Sequence, residues 1–577
     1  MDTVVRNGLV IDGSGAERFR ADVGIESGRI VAVGRIPGRA PRELDAAGAI
    51  VCPGFIDVHT HFDAQVLWDP MLSPSVYHGV TTALAGNCGF TLAPLSGDPA
   101  DADYLLRMLS RVEGMPLATL REAVQPTWRS FGEYLDRIDG RLAINTAFLV
   151  GHSALRRAVM GERAVTDRAG AEDLARMLTL LRQSLAEGGV GFSTTISRTH
   201  SDYEGQPVPS RVADREEIVA LAGAVRDFPG TWLEIVFGVV VMQQEHYALA
   251  ADMSVAAGRA LNWNAVQIDS ARPDLLESKL RASDYVRERG GTLYGLVPAA
   301  PMTTLLNFVN CFVIDTLPGW SALVPMSLAR RRAALADPQF RAVLKDGATR
   351  AATQAETRIR NWSKVVLQAL ALPHNLPWNG RTLGEHASAL GKEPLDALFD
   401  LAVEENLGVS FSRSSESTDE RSWQLRGELW RDPRLLIGGS DAGAHLDMID
   451  SFALSTQLLG EGVRRRGLLT LEDAIHRITA LPAERFGLMG RGRIAPGAAA
   501  DLVVLDPARV DCGPIAMRQD LPGGEKRLYA DSVGILQVMV GGVVVAEDNR
   551  ATGQLGGRVL RSGRDTRTVP VGAAASH

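Results

Sequence analysis

The run PGFIDVHTHFDAQ, residues 53–65, sets two imidazoles one residue apart at the end of an apolar stretch. On a strand, side chains two apart share a face, so His59 and His61 aim together and Asp57 lies on that face too. Two imidazoles side by side at the C-terminal end of a strand make half of a divalent-metal site. Two further histidines, His152 in LVGHSALR and His200 in SRTHSDYEG, also follow strand-like runs. Each has two readings, a polar group reaching the same face or a hydrogen-bonded structural imidazole. For His152 the first reading is support for a ligand or an oxyanion donor.

Such a pair needs a rigid frame, and the middle of the chain reads as one. GVTTALAGN, AINTAFLVGH, GVGFSTTI, TWLEIVFG and RLLIGGSD are short apolar runs with the look of buried strands. Helical stretches separate many of them; DRAGAEDLARMLTLLRQSLAEGG repeats apolar positions every third or fourth residue. Strand-then-helix alternation predicts an α/β fold, a parallel sheet or a (β/α)8 TIM-like barrel spanning about residues 55–484, with its active face at the strand C-termini. From about 295 to 434 the pattern loosens, which predicts an insertion, either a peripheral subdomain or a substrate lid. Both ends differ from the middle. Residues 1–54 and 485–560 read as short alternating strands broken by glycine turns at Ser27-Gly28 and Gly541-Gly542, which predicts one β-sandwich domain built from both termini. Residues 561–577 have little to bury and read as a flexible tail.

Composition narrows the function. The chain has 577 residues, 45% apolar and 22% charged, with a formal net charge of −7. No basic stripe is present, which argues against nucleic acid as a partner. The four cysteines, Cys52, Cys88, Cys311 and Cys512, are scattered without a CxxC pair, so neither a disulfide framework nor a zinc knuckle is suggested. No apolar run is long enough to span a membrane, and the first residues lack the pattern of a secretory leader. The expectation is a cytoplasmic protein acting on a small molecule, with a homo-oligomer left open.

The segments PGFIDVHTHFDAQ, HGVTTALAGNCGF, LVGHSALRRAVMG, GGVGFSTTI, GGSDAGAH and APGAAADLVVLD, in that order, resemble the amidohydrolase superfamily, and within it the N-acyl-D-amino-acid deacylase (D-aminoacylase) branch. The resemblance implies a metal-bearing barrel with a composite β-sandwich, and hydrolysis of an amide-like bond. It also implies that Cys88, in AGNCGF, takes a metal-ligand place. A thiolate at a strand end suits zinc; the competing reading is a small buried hydrophobe. It implies that Asp441, in GGSDAGAH, binds metal and serves as general base and acid. A carboxylate placed there can accept a proton from attacking water and deliver it to a leaving nitrogen. The competing reading is an N-cap for the residues that follow. His445 is a candidate for contact with substrate.

The branch also implies two more histidine ligands, in a Thr-His-x-Arg and a His-His-Lys motif. Here those regions read GTWLEIVFG and GRALNWNAVQID and hold no histidine. Glu234 stands near the first place and Asn262 or Asn264 near the second. Glutamate can bind a metal, whereas an amide is a poor zinc ligand. The expectation is one zinc ion held by His59, His61, Cys88 and Asp441, with Glu234 the candidate for a second. The chemistry expected is metal-dependent hydrolysis of a non-peptide C–N bond. Hydrolysis of a cyclic amide, deamination, or a non-catalytic scaffold are the alternatives. The apolar stretch PMTTLLNFVNCF, with Trp263 and Trp320, suggests a greasy acyl or aromatic substrate group.

Overall fold

The computed structural model describes residues 1–238, 241–311, 313–352, 359, 361–414 and 418–572. Eight parallel strands carry the middle of the chain: β1 (Phe55–Asp57), β2 (Val80–Ala85), β3 (Asn145–Gly151, broken at Leu149), β4 (Gly191–Thr195), β5 (Trp232–Val236), β6 (Leu261–Trp263), β7 (Leu293–Val297) and β8 (Leu435–Ile437). The first half of β3 pairs with β2, and its second half with β4, so one strand links two hydrogen-bonded ladders. Past the ends of β1 and β8, Thr60 and Ala442 form a parallel bridge, and the His61 amide donates to the Ala442 carbonyl. The strands are apolar on both sides because both sides are covered. Ile56, Leu84, Ala147, Trp232, Leu296 and Leu436 pack together on one side.

The helices between strands form where the sequence caps and patterns them. Ser130 and Glu133 make a reciprocal capping box at the start of the helix Phe131–Ile138. In Ala171–Ala186 the buried residues Met177, Leu181 and Leu185 repeat every fourth position and face the strands.

Both chain ends meet in one nine-stranded sheet. Its seam is Ile50–Pro53, from the N-terminal part, paired antiparallel with Leu502–Leu505, from the C-terminal part. Val5, Val23, Ile25, Val51, Val504 and Met539 from the two parts share one apolar cluster. The turns that close its hairpins are packed as well: Gly28 has φ +75°, and a Cβ there would lie 2.8 Å from the Gly541 carbonyl oxygen.

Between β7 and β8 the chain leaves the strands and builds a core of its own. Thr303–Asn307, Ser410–Ser414 and Val366–Gln368 form an antiparallel sheet. Helices 328–336, 383–390 and 394–404 pack around Phe308, Trp320, Phe399 and Phe411. Trp320 stacks on Trp362 at 5.4 Å and is fully buried. Trp263 is buried against Phe237. The expectation that these two tryptophans line a substrate pocket is therefore corrected: both are core residues, and apolar stretches of this kind fill interiors.

The expected tail is also corrected. Arg561 donates to the Glu187 carbonyl, Thr566 to the Gly230 carbonyl and the Arg567 amide to the Gly487 carbonyl. Residues 561–572 are held by polar contacts rather than apolar burial; residues 573–577 of that expectation lie outside the described residues. No helix among the described residues is long and apolar enough to cross a membrane.

Candidate metal centre

His59 and His61 lie just beyond the end of β1, and the expected common direction holds. Their rings meet edge to face with centroids 5.3 Å apart. Both Nε2 atoms point at the Cys88 sulfur, each at 3.6 Å. Cys88 sits in the turn after β2, at φ +58° between Gly86 and Gly89, which also have positive φ. That left-handed turn swings the thiol back over the histidines. Asn87, beside it, donates from Nδ2 to the carbonyls of Thr60 and Leu84, pinning the His-Thr-His segment to β2.

Asp441 follows β8 at φ +50°. Its Oδ1 lies 3.2 Å from His59 Nε2 and 3.9 Å from His61 Nε2. Asn264, just after β6, donates from Nδ2 to the same oxygen at 3.0 Å. On β5, Glu234 Oε2 accepts the Cys88 backbone N–H at 2.7 Å, while its Oε1 is buried without a hydrogen-bond partner. Asn262 neighbours Glu234 in the ladder, and neither its side-chain oxygen nor its nitrogen finds a partner.

The donor set can be tested against a metal. Zinc bonds of about 2.05 Å to nitrogen and 2.3 Å to sulfur, at a tetrahedral angle, put N and S about 3.5 Å apart. The observed 3.6 Å separations match. The ligand atoms of His59, His61 and Cys88 all lie within 4.8 Å of one another. Electrostatics agree. Burial pushes Glu234 up to about 8, Asp63 to about 7 and Asp57 to about 6. Burial, and then the charges of Glu234, Glu113 and Asp441, raise the Cys88 thiol well above its usual range. Burial opposes a charge on His59, but the hydrogen bond and charge of Asp441 outweigh it and raise that imidazole. A crowd of buried acids and a thiol around two imidazoles is a site that a cation would stabilise, and the residues present fit a divalent one.

Two buried acids near the centre carried no sequence signal. Glu113, after the helix Pro99–Val112, sits 3.5 Å from His61 Nδ1 and 3.6 Å from His445 Nε2. Asp63 accepts the Gly86 amide and so steadies the Cys88 turn. The other candidates divide. His445 belongs to the Asp441 loop, at φ +47°. His200 is held by Thr195 Oγ1 at 2.9 Å and packs on Phe90. His152 is fully buried, with Nδ1 at 2.9 Å from Thr194 Oγ1 and Nε2 at 2.8 Å from Glu217 Oε1. Both its nitrogens are engaged, by Thr194 and Glu217, an arrangement that fits the structural of the two readings of His152. Beyond Gly114, which backs onto His445, a cavity of about 850 Å³ opens between the end of the helix Pro99–Val112, the inserted segment and residues 517–526.

A family model described as the amidohydrolase family matches residues 42–546. The chain belongs to the amidohydrolase family. The D-aminoacylase of Alcaligenes xylosoxydans xylosoxydans is 30% identical to this amidohydrolase over 567 residues, 97% of this chain and 97% of its own. A solved D-aminoacylase, described by its binuclear metal centre with one-metal activation and second-metal attenuation, superimposes with a TM-score of 0.64 at 26% identity, covering 97% of this chain and 99% of its own. The N-acyl-D-glutamate deacylase of Bordetella bronchiseptica, solved with zinc and a phosphonate mimic of the tetrahedral intermediate, superimposes with a TM-score of 0.63 at 25% identity over the same shares. The amidohydrolase is thus a metal-dependent hydrolase acting on carbon–nitrogen bonds other than peptide bonds, with the α/β fold of the D-aminoacylases.

Proposed function

We propose that this amidohydrolase cleaves the amide of a small N-acylated molecule, using one zinc ion held by His59, His61, Cys88 and Asp441. The observation that carries the reading is the convergence of two imidazoles and a thiol, their ligand atoms within 4.8 Å of one another, with Asp441 Oδ1 beside the two imidazole nitrogens at 3.2 and 3.9 Å. Closure of β1–β8 into a (β/α)8 barrel, supported by the Thr60–Ala442 bridge, puts that point at the C-terminal mouth, where such barrels do their chemistry. A bound cation would supply Lewis-acid polarisation of the scissile carbonyl and of water.

The chain's own groups do the rest. The Asn87 clamp pins the backbone between the two histidines, and Glu234 holds the Cys88 turn. Asn264 holds Asp441 Oδ1 toward the centre. Asp441 takes the proton from the attacking water and passes it to the leaving nitrogen, so the C–N bond breaks to a carboxylic acid and an amine. The substrate class follows the related deacylases, with one change: NWNAV supplies no lysine for a free carboxylate, so the amine half is held differently. A second reading keeps a second cation, because the orphaned Glu234 Oε1 is a donor without a partner.

The test is a zinc-replete screen over N-acyl-D- and L-amino acids, simple amides and cyclic imides. The expected result is turnover of an N-acyl substrate that is lost on chelation and restored by zinc. Turnover indifferent to chelation, or none on any acyl amide, contradicts the reading.

A further inference from the structure

We propose that Glu113 is a positioning residue: its carboxylate holds the outer nitrogen of the His61 ring so that the inner one faces the cation, and ties that ring to His445 on the Asp441 loop. The proposal rests on the metal-centre reading above and concerns a residue outside the ligand set.

Glu113 follows the last turn of the helix Pro99–Val112, and its side chain is only 2% exposed. Its two oxygens part between two imidazoles, Oε1 at 3.5 Å from His61 Nδ1 and Oε2 at 3.6 Å from His445 Nε2. Its carbonyl accepts the backbone N–H of His445, so the helix end and the Asp441 loop are joined through main chain and side chain alike. That loop needs holding, because Asp441 and His445 both carry positive φ.

His61 Nε2 is committed to the centre, 3.6 Å from the Cys88 sulfur. A neutral imidazole that offers Nε2 to a cation carries its hydrogen on Nδ1. His61 Nδ1 is buried without a hydrogen-bond partner, and Glu113 is the carboxylate facing it. A closure of about half an ångström brings the pair into hydrogen-bond range. Carboxylates placed this way fix the tautomer and orientation of a ligating histidine and raise its basicity.

The experiment is zinc affinity, read by competition with a chromophoric chelator, together with the visible spectrum of the cobalt-substituted protein, for wild type, Glu113→Gln and Glu113→Ala. Circular dichroism establishes which variants fold. Losing the charged acceptor is expected to weaken zinc about tenfold in Glu113→Gln and up to about 100-fold in Glu113→Ala, with a shifted cobalt spectrum in both. Glu113→Gln keeps the shape, so it decides if Glu113→Ala does not fold. Zinc affinity within about threefold of wild type and an unchanged cobalt spectrum in folded Glu113→Gln would overturn the proposal. Absence of zinc binding in the wild type would instead defeat the metal-centre reading itself, so the two failures are distinct.

Discussion

Asn264 donates its side-chain N–H to the same Asp441 oxygen that lies 3.2 Å from His59 Nε2. Asn264 is one of the two asparagines expected near the place of a missing histidine ligand, and its amide holds the Asp441 carboxylate. Replacing Asn264 by Ala frees Asp441 to turn away. The expected outcome is a fall in kcat of about 10- to 100-fold with little change in KM. Steady-state kinetics on a substrate from the screen, beside a thermal melt, checks it. A kcat within about twofold of wild type would show that the hydrogen bond does not orient the base.

Asp441→Asn tests the base itself. Asparagine tolerates the left-handed backbone that Asp441 adopts at φ +50°, so the loop survives the change. The expected loss in kcat is at least about 100-fold, since general acid–base groups contribute on the order of 10² to 10⁴. Circular dichroism and the melting temperature are expected to stay near wild type. Near-normal turnover in this variant assigns the proton transfer elsewhere.

Trp320 separates core from pocket. It stacks on Trp362, and its Nε1 donates to the Leu344 carbonyl at 2.8 Å, inside the core of the inserted segment. Trp320→Ala is expected to cost about 3–5 kcal/mol, seen as an early unfolding step in a denaturant titration. Trp320→Phe, a milder cut, is expected to leave KM unchanged. A raised KM with intact stability would return Trp320 to the substrate site.

His78 makes stability depend on pH. Its ring is fully buried, with Nε2 donating to the Ala530 carbonyl and Nδ1 meeting Thr456 Oγ1. Burial holds this imidazole down to about 4. An unfolded chain protonates it near pH 6.5. Between those values the unfolded state binds a proton that the folded state refuses, so stability is full above about pH 6.5 and is lost as pH falls toward about 4. The whole window is worth about 3 kcal/mol. Urea titrations at several pH values, wild type against His78→Gln, are expected to show the extra acid loss only in wild type. Parallel curves would mean that His78 carries no such penalty.

The parts of this protein that local patterns write were legible in the sequence. His59, His61 and Cys88 sit in short motifs at strand ends, and period-two and period-four patterns separate the terminal sheet from the central strands and helices. Glu113 was not legible, because an acid after the helix Pro99–Val112 looks like any other; only folding sets it against His61, 52 positions earlier in the sequence. The histidine at 152 kept two readings because a strand end can aim a ring at the mouth or, as here, at Glu217 on a neighbouring helix. Residues 561–572 left no apolar trace, since backbone and hydroxyl hydrogen bonds hold them. The inserted core escaped pattern reading because two of its strands pair across a gap of about a hundred residues, Thr303–Asn307 with Ser410–Ser414.

The central claim is one cation gripped by imidazole, sulfur and carboxylate. The direct measurement is metal content of protein purified without chelator, paired with X-ray absorption at the zinc edge in wild type and Cys88→Ser. The account predicts about one zinc per chain, with a sulfur scatterer at about 2.3 Å in wild type that is missing in Cys88→Ser. No bound metal after incubation with zinc, or a zinc shell without sulfur in the wild type, would contradict it.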